Sequence, residues 1–330
     1  MRQSVKVSGI IAGVVLGGLV LAATAAATFR GTNGELSFIG GSPSLDQGQL
    51  VSSAPNGNRF RQILPARYKV RDVAVSPDGK RIAFSALLAG EPPEIFTATR
   101  TGQQIRKLTD RGGADQYYRQ PAWSSDGRRI AYSVFGLGSN RGVAIRVMRA
   151  DGTGKRNLFR NPALDFFVED PVFSPNGRRL AYTRFVRPNP VVSEVYSVNA
   201  VDGSGERRLT DGLGSLNSYS EPDYRPNGRV LLVRTAPSFL AGRTRIARLN
   251  ATAGNSPATT LIESPVGWAY GSPQYSPDGS KIVFSGEDLL ADPLSDRNHL
   301  FTAAADGTAI RKVSLLFEAV SPVWGARPRR

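Results

Sequence analysis

The chain has 330 residues, 35 of them Gly and 22 Pro, with no Cys, one His and a formal charge of +15 at pH 7. Without cysteine there is no disulfide, no thiol chemistry and no lipid-modified Cys at a cleavage site. About 300 residues suffice for one closed β architecture with a large core, and the glycine and proline content suits a chain dense in turns.

At the N-terminus, Arg2 and Lys6 precede an apolar run from Val7 to Leu21 that ends in Ala22-Ala23-Thr24-Ala25-Ala26-Ala27. Basic, then apolar, then small is the order of a secretory signal with an A-x-A site, and it predicts export to the periplasm or beyond. Counted with its alanines, the run is about as long as a membrane span, so an uncleaved anchor is the alternative. Residues 1–27 are thus read as a leader, and 28–330 as one propeller domain for the reasons that follow.

The first element, NGELSFIGG (Asn33 to Gly41), reads as a corner followed by a second strand with no first strand before it, and Asn56-Gly57 supplies a later turn. Five copies of one phrase come next: SPDGKRIAF from Ser76, SSDGRRIAY from Ser124, SPNGRRLAY from Ser174, RPNGRVLLV from Arg225 and SPDGSKIVF from Ser276. Pro at the second position presets φ and Gly at the fourth permits a positive one, so each phrase is a hairpin corner. The apolar, β-branched and aromatic stretch behind it is a half-buried strand. Between the corners runs a second turn phrase: RTGQQIRKL from Arg100, ADGTGKRNL from Ala150, VDGSGERRL from Val201 and ADGTAIRKV from Ala305, with a degraded copy, NATAGNSPATTLI, from Asn250. Two hairpins per unit make four strands.

The corner glycines Gly79, Gly127, Gly177, Gly228 and Gly279 lie 48, 50, 51 and 51 residues apart, and Gly34 lies 45 before the first. A period near fifty with four strands per unit predicts propeller blades. At the C-terminus SPVWG, from Ser321, has the first strand of a blade and no second. Joined to the N-terminal fragment it completes a sixth blade, which closes the ring and covers otherwise bare blade edges. The expected fold is all-β: a six-bladed β-propeller of four-stranded antiparallel blades, closed by pairing of the N- and C-terminal strands.

These phrases together resemble the WD-like repeats of TolB-like propellers, and the resemblance covers nearly all of the chain after the leader. It implies the propeller fold and a habit of binding protein partners. The α/β domain that precedes the propeller in TolB has no counterpart between the leader and Gly34.

In a propeller the turns after the first and third strands share one face. Here that face carries Lys80, Arg81, Arg128, Arg129, Arg178, Arg179, Arg207 and Arg208. Such a face suits an anionic surface outside the cytoplasm, lipid headgroups or acidic wall polymer, while basic residues also protect exposed strand ends. Nucleic acid is not an expected partner of an exported chain.

The loops on the opposite face are longer and irregular, as binding loops on a rigid scaffold are. Between fourth and first strands each holds an aromatic: Tyr68, Tyr117 and Tyr118, Phe167, Tyr219, Trp268 and Tyr270, and Phe317. Around the channel mouth they would form an amphipathic ring for a protein or sugar partner; equally, they would wedge between blades as core. Asp165, Glu169 and Asp170 gather in one of these loops, without the spacing of a calcium loop, and no metal site or cofactor is expected.

Catalysis finds little support. His299 precedes Leu300-Phe301 and suits a strand entry, there is no G-x-S-x-G elbow, and GTGKR from Gly152 lacks the remainder of a phosphate loop. The expectation is a monomeric, non-catalytic binding propeller that recognises an envelope protein or an anionic wall or lipid surface. The alternative is a carbohydrate-active enzyme using the acidic residues of the mouth.

Overall fold

The computed structural model describes residues 29–41, 48–110, 116–136, 142–161, 166–186, 192–212, 217–237, 243–292, 297–313, 315 and 317–328. The leader and Asp165 lie outside them. In chain order the strands are β1 (Asn33–Gly41), β2 (Gln49–Ser53) and β3 (Arg61–Gln62); then β4 (Tyr68–Val75), β5 (Arg81–Leu88), β6 (Glu94–Thr99) and β7 (Arg106–Lys107). Next come β8 (Gln116–Trp123), β9 (Arg129–Gly136), β10 (Gly142–Arg149) and β11 (Arg156–Asn161), and β12 (Phe166–Phe173), β13 (Arg179–Val186), β14 (Val192–Asn199) and β15 (Arg207–Arg208). The last are β16 (Asn217–Tyr224), β17 (Val230–Pro237), β18 (Arg245–Asn250) and β19 (Thr259–Glu263), then β20 (Trp268–Tyr275), β21 (Lys281–Asp288), β22 (Asn298–Ala304), β23 (Arg311–Lys312) and β24 (Glu318–Ala326).

They form six four-stranded antiparallel sheets. Five are consecutive runs of four strands, and the sixth is β24-β1-β2-β3. The ring is closed as the repeats predict, by pairing such as Leu36 with Trp324 and Ile39 with Val320.

Each corner is built by its own side chains. In the first, the Ser76 hydroxyl donates to the Asp78 carboxylate at 2.6 Å, and the same Asp78 oxygen accepts the Lys80 N–H at 3.0 Å. The Arg81 N–H donates to the Ser76 oxygen at 2.9 Å. Gly79 takes φ +70°, which only glycine adopts without strain. Ser124, Ser174 and Ser276 repeat the pattern.

Between blades, the ninth residue of each corner phrase is fully buried: Phe84, Tyr132, Tyr182, Val233 and Phe284, with Phe38 from the split blade. The aromatics Trp123, Phe173 and Tyr275, which end three of the first strands, each pack under an arginine from the preceding corner. Arg81 lies 5.9 Å from the Trp123 ring and Arg129 lies 5.3 Å from that of Phe173. In these two basic corner pairs the second residue thus serves as mortar between blades.

Two features of the split blade depart from expectation. Gly34 is not a corner glycine; it sits inside β1, where a Cβ would come 2.9 Å from the Gly325 carbonyl oxygen. The absent corner is bridged by Arg327, whose N–H donates to the Thr32 carbonyl at 2.9 Å, and by Arg100 of the neighbouring blade. The Arg100 guanidinium is buried and donates to the Glu35 carbonyl at 3.0 Å. The four other second-turn phrases place alanine at this point: Ala150, Ala200, Ala251 and Ala305, each of which donates its N–H to a corner carbonyl as Arg100 does.

Candidate functional site

The central channel is walled by the first strands β4, β8, β12, β16, β20 and β24. In the last five, the residue seven before the corner glycine position is followed by Pro and takes a positive φ: Gln120 54°, Asp170 54°, Glu221 56°, Ser272 49° and Ser321 54°. Proline has no N–H to give the ladder, so the strand bulges there, and the register skips from Arg119 to Ala122 on β8.

The bulges free backbone N–H groups from the ladder, and the preceding blade accepts them. The Gln120 N–H donates to Asp72 at 3.1 Å, and the Asp170 N–H donates to Gln120 Oε1 at 3.2 Å. Thr183, whose hydroxyl donates to Asp170 at 3.0 Å, accepts the Glu221 N–H at 3.2 Å. Glu221 then accepts the Ser272 N–H, Asp223 accepts that of Tyr275 at 2.8 Å, and Gln274 accepts that of Trp324. A polar relay thus joins five of the six blade junctions around the axis, each junction crossed by a bond from one blade to the next. A bond of this kind to a charged acceptor is worth about 1.5–3 kcal/mol.

Charge in the channel is concentrated on one side of the ring. Arg119 donates to both oxygens of buried Asp72, at 3.3 and 3.2 Å. Burial alone would lower the Arg119 pKa, and the Asp72 carboxylate more than reverses this. Glu169 keeps some access to the channel, and burial pushes its pKa up against the pull of Arg119. Asp170 is raised well above the ordinary carboxylate range, by burial first and then by Glu169 and Glu221. Burial also raises Glu221, with Arg234 opposing. These carboxylates are committed to holding blades together: Asp72 also accepts the Ser85 hydroxyl, and Asp170 accepts Gln120 Nε2 at 2.7 Å.

The predicted aromatic ring divides. Tyr68, Tyr118, Tyr219 and Tyr270 are buried between strands, Tyr68 edge-on to Phe84 and Phe96, and Tyr270 edge-on to Phe284. Strand pleating turns every second residue of the first strand into the space between blades, and these tyrosines occupy it. Tyr117, stacked on Phe135 at 4.8 Å, stays partly exposed, as do Phe167, Trp268 against His299, and Phe317 against Phe60. On this loop face the apolar side chains Val266, Leu289 and Leu290 are 69 %, 39 % and 78 % exposed. They come from two loops of one blade, tied by the Leu289 N–H donating to the Gly267 carbonyl at 2.7 Å.

The basic residues also divide. Arg81, Arg129 and Arg179 are engaged within and between blades, Arg179 donating to Ser197 and Gly205 carbonyls at 2.7 and 2.9 Å. Arg207 donates to the Thr252 carbonyl at 2.6 Å, and Arg208 turns to the outer flank, 3.7 Å from Glu194 and 3.4 Å from Asp211. Lys80, Arg128 and Arg178 remain exposed, with side chains unpaired among the described residues, as does Arg229 at the same position of the next corner.

Reading the sequence missed the relay, although a polar residue directly before Pro, seven residues ahead of Gly127, Gly177, Gly228 and Gly279, marks it. Among the described residues no cluster of three His, Cys, Asp or Glu is arranged to hold a metal ion.

No protein-family model matches the chain. Over 117 residues it is 37 % identical to the Tol-Pal system protein TolB of Anaeromyxobacter dehalogenans, a match covering 36 % of this chain and 25 % of that protein. Over 110 residues it is 29 % identical to tricorn protease homolog 1 of Streptomyces coelicolor, covering 33 % of this chain and 10 % of that one. The matches thus span a quarter or less of these relatives. Among solved structures, TolB from Acinetobacter baumannii superposes with a TM-score of 0.69 at 19 % identity, over 89 % of this chain and 67 % of that one. The chain is a six-bladed β-propeller homologous to TolB-family proteins over about a third of its length.

Proposed function

We propose that this protein is an exported, non-catalytic binding propeller of the cell envelope, which engages a protein partner through its loop face. The observation that carries this reading is the exposed apolar group Val266, Leu289 and Leu290, displayed on one blade beside the partly exposed Trp268. Contiguous exposed apolar side chains on a rigid scaffold mark an interaction surface. The partly exposed Tyr117, Phe167 and Phe317 extend it around the same face. Two further supports are the leader, whose order is that of a secretory signal, and the similarity to a protein named for the Tol-Pal system. The channel carboxylates are spent on the blade relay, which favours binding over hydrolysis.

The test is capture from the envelope of the producing cell, comparing the parent with a Val266→Asp, Leu290→Asp variant. A discrete protein held by the parent through high salt and released by the variant is the expected result. Retention by both proteins alike would move the site elsewhere, and turnover of an envelope sugar polymer that survives in the variant would replace binding with catalysis.

A further inference from the structure

The face opposite the loops is organised around the point where the chain enters the fold. Phe29, only 8 % exposed, is packed into the channel mouth among the corners of four blades, where it lines a cavity of about 880 Å³ with Trp123 and Pro175. From there the chain runs outward over the corners: the Arg30 guanidinium donates to the Pro226 carbonyl at 3.4 Å and the Gly31 N–H to that of Pro277 at 3.1 Å. Asn33 then exchanges hydrogen bonds with Asp278, at 2.9 and 3.1 Å. The apolar run of residues 7–27 is therefore joined, through residue 28 alone, to the centre of this face.

Around that centre Lys80, Arg128, Arg178 and Arg229 occupy the same position of four consecutive corners, directly after the glycine. The repeated corner geometry sets them at one height. Acidic residues share these turns and are exposed, but they are fewer than the basic ones: the third and fourth of these corners carry Asn176 and Asn227 where the first two carry Asp78 and Asp126. Asp78 and Asp126 accept the Lys80 and Arg128 N–H groups, each at 3.0 Å, and Asp151, Asp202 and Asp306 accept backbone N–H groups at 2.9, 3.0 and 3.0 Å. At the rim two apolar tips stand out, Val201 at 61 % and Ile310 at 46 % exposure, each in a turn between a third and a fourth strand.

We infer that this face docks on an anionic lipid bilayer, with the point where the chain enters the fold, at Phe29, turned toward the membrane and the loop face pointing away. A coplanar set of unpaired cations around that point, with apolar tips at the rim, is the pattern of an interfacial contact. Acidic wall polymer would satisfy the cations alone and gives no role to Val201 or Ile310.

Residues 29–330 contain every strand of the ring, so they serve for the vesicle test alongside the full chain. The chain has no native cysteine, so single cysteines at Ser125 on the corner face and Val266 on the loop face can each carry an environment-sensitive fluorophore. With vesicles of phosphatidylglycerol and phosphatidylcholine in equal parts, the expected result is binding that is lost on pure phosphatidylcholine. The Ser125 label should report an apolar environment and the Val266 label should not. Changing Lys80, Arg128, Arg178 and Arg229 together to Glu should weaken binding at least about a hundredfold, at roughly fivefold per cation. An unchanged melting temperature in that exposed-residue variant, measured in parallel, separates lost docking from lost folding; a variant that melts early is replaced by the single changes. A shift of the Val266 label instead, affinity indifferent to the charge reversal, or binding to soluble poly(glycerol phosphate) with none to vesicles would each overturn the inference.

Discussion

Five blades of this propeller are continuous and one is stitched from the two ends of the chain, and the two kinds solve the same corner differently. Four continuous blades close the first hairpin with Ser, Asp or Asn, and Gly, all within six residues, and the fifth has Arg225 in place of the Ser. The split blade has no turn to carry those bonds. It borrows a guanidinium from the next blade, keeps glycine at positions 34 and 325 where β1 and β24 crowd together, and lays the N-terminal lead across the neighbouring corners. Closure of the ring therefore depends on tertiary contacts where the other blades depend on local ones, and the split blade is where the ring should be easiest to open.

Deleting residues 318–330 is the severest test, because it removes the innermost strand of a blade together with the buried Val320, Val323 and Trp324. Burial of that size is comparable to the whole stability of a domain, about 5–15 kcal/mol. We expect no cooperative thermal transition by circular dichroism; a truncated protein melting within a few degrees of the parent would mean that the ring does not need its closure. Next in size is a pair of glycine changes. Gly79 and Gly127 occupy equivalent corners at φ +70° and +67°, but a Cβ on Gly79 would lie 2.2 Å from the Ala326 carbonyl oxygen, while on Gly127 it meets nothing nearer than Pro77 Cδ at 3.8 Å. Gly127→Ala should cost about 1–2 kcal/mol for the left-handed backbone alone. Gly79→Ala should cost at least twice as much in chemical denaturation, since it also pushes on the split blade's end.

Arg100 allows the comparison to be made at one residue. Arg100→Ala restores what the four equivalent positions carry, yet it strips the Glu35 carbonyl of its donor and should destabilise by about 1–3 kcal/mol. Gly325→Ala should also destabilise, because its Cβ would lie 2.7 Å from Arg100 Nη2. In the double variant the clash has no partner, so the second change should cost clearly less than it does alone. Additive losses in this cycle would show that Arg100 does not fill the missing corner.

What could be read from the sequence follows the same division. Corners were legible because Ser-Pro-Asp-Gly carries its own hydrogen bonds, and the blade count followed from the spacing of Gly79, Gly127, Gly177, Gly228 and Gly279. The relay was not legible, since Asp72, Gln120, Asp170 and Glu221 each act on a residue one repeat away, and only the fold brings them together. Arg100 was visible as a departure from the second-turn phrase, but its partner Glu35 lies 65 residues upstream. The aromatics were located but their facing was left open: periodicity puts Tyr68 or Tyr270 near the channel mouth, and strand pleating then decides whether the ring faces solvent or the next blade.

The relay itself differs between the two regions, and pH should expose it. On the continuous side it runs through carboxylates; at the split blade the link from Gln274 to Trp324 is uncharged. Asp170 has its pKa raised in the folded state, by burial and then by Glu169 and Glu221. Between its unfolded value, near ~4, and the folded one, the native state binds more protons than the unfolded state, so its contribution is complete at low pH and is lost as pH rises through the folded pKa. Asp170→Asn keeps an acceptor and a donor at the site while removing that titration. Relative to the parent, the variant's melting temperature should therefore improve as pH rises from about 4 and level off once the folded pKa is passed. Gln274→Ala removes a neutral link, so its deficit should stay constant over the same range. If the Gln274 deficit tracked pH while the Asp170 difference stayed flat, the charged and neutral halves of the relay would have been assigned the wrong way round.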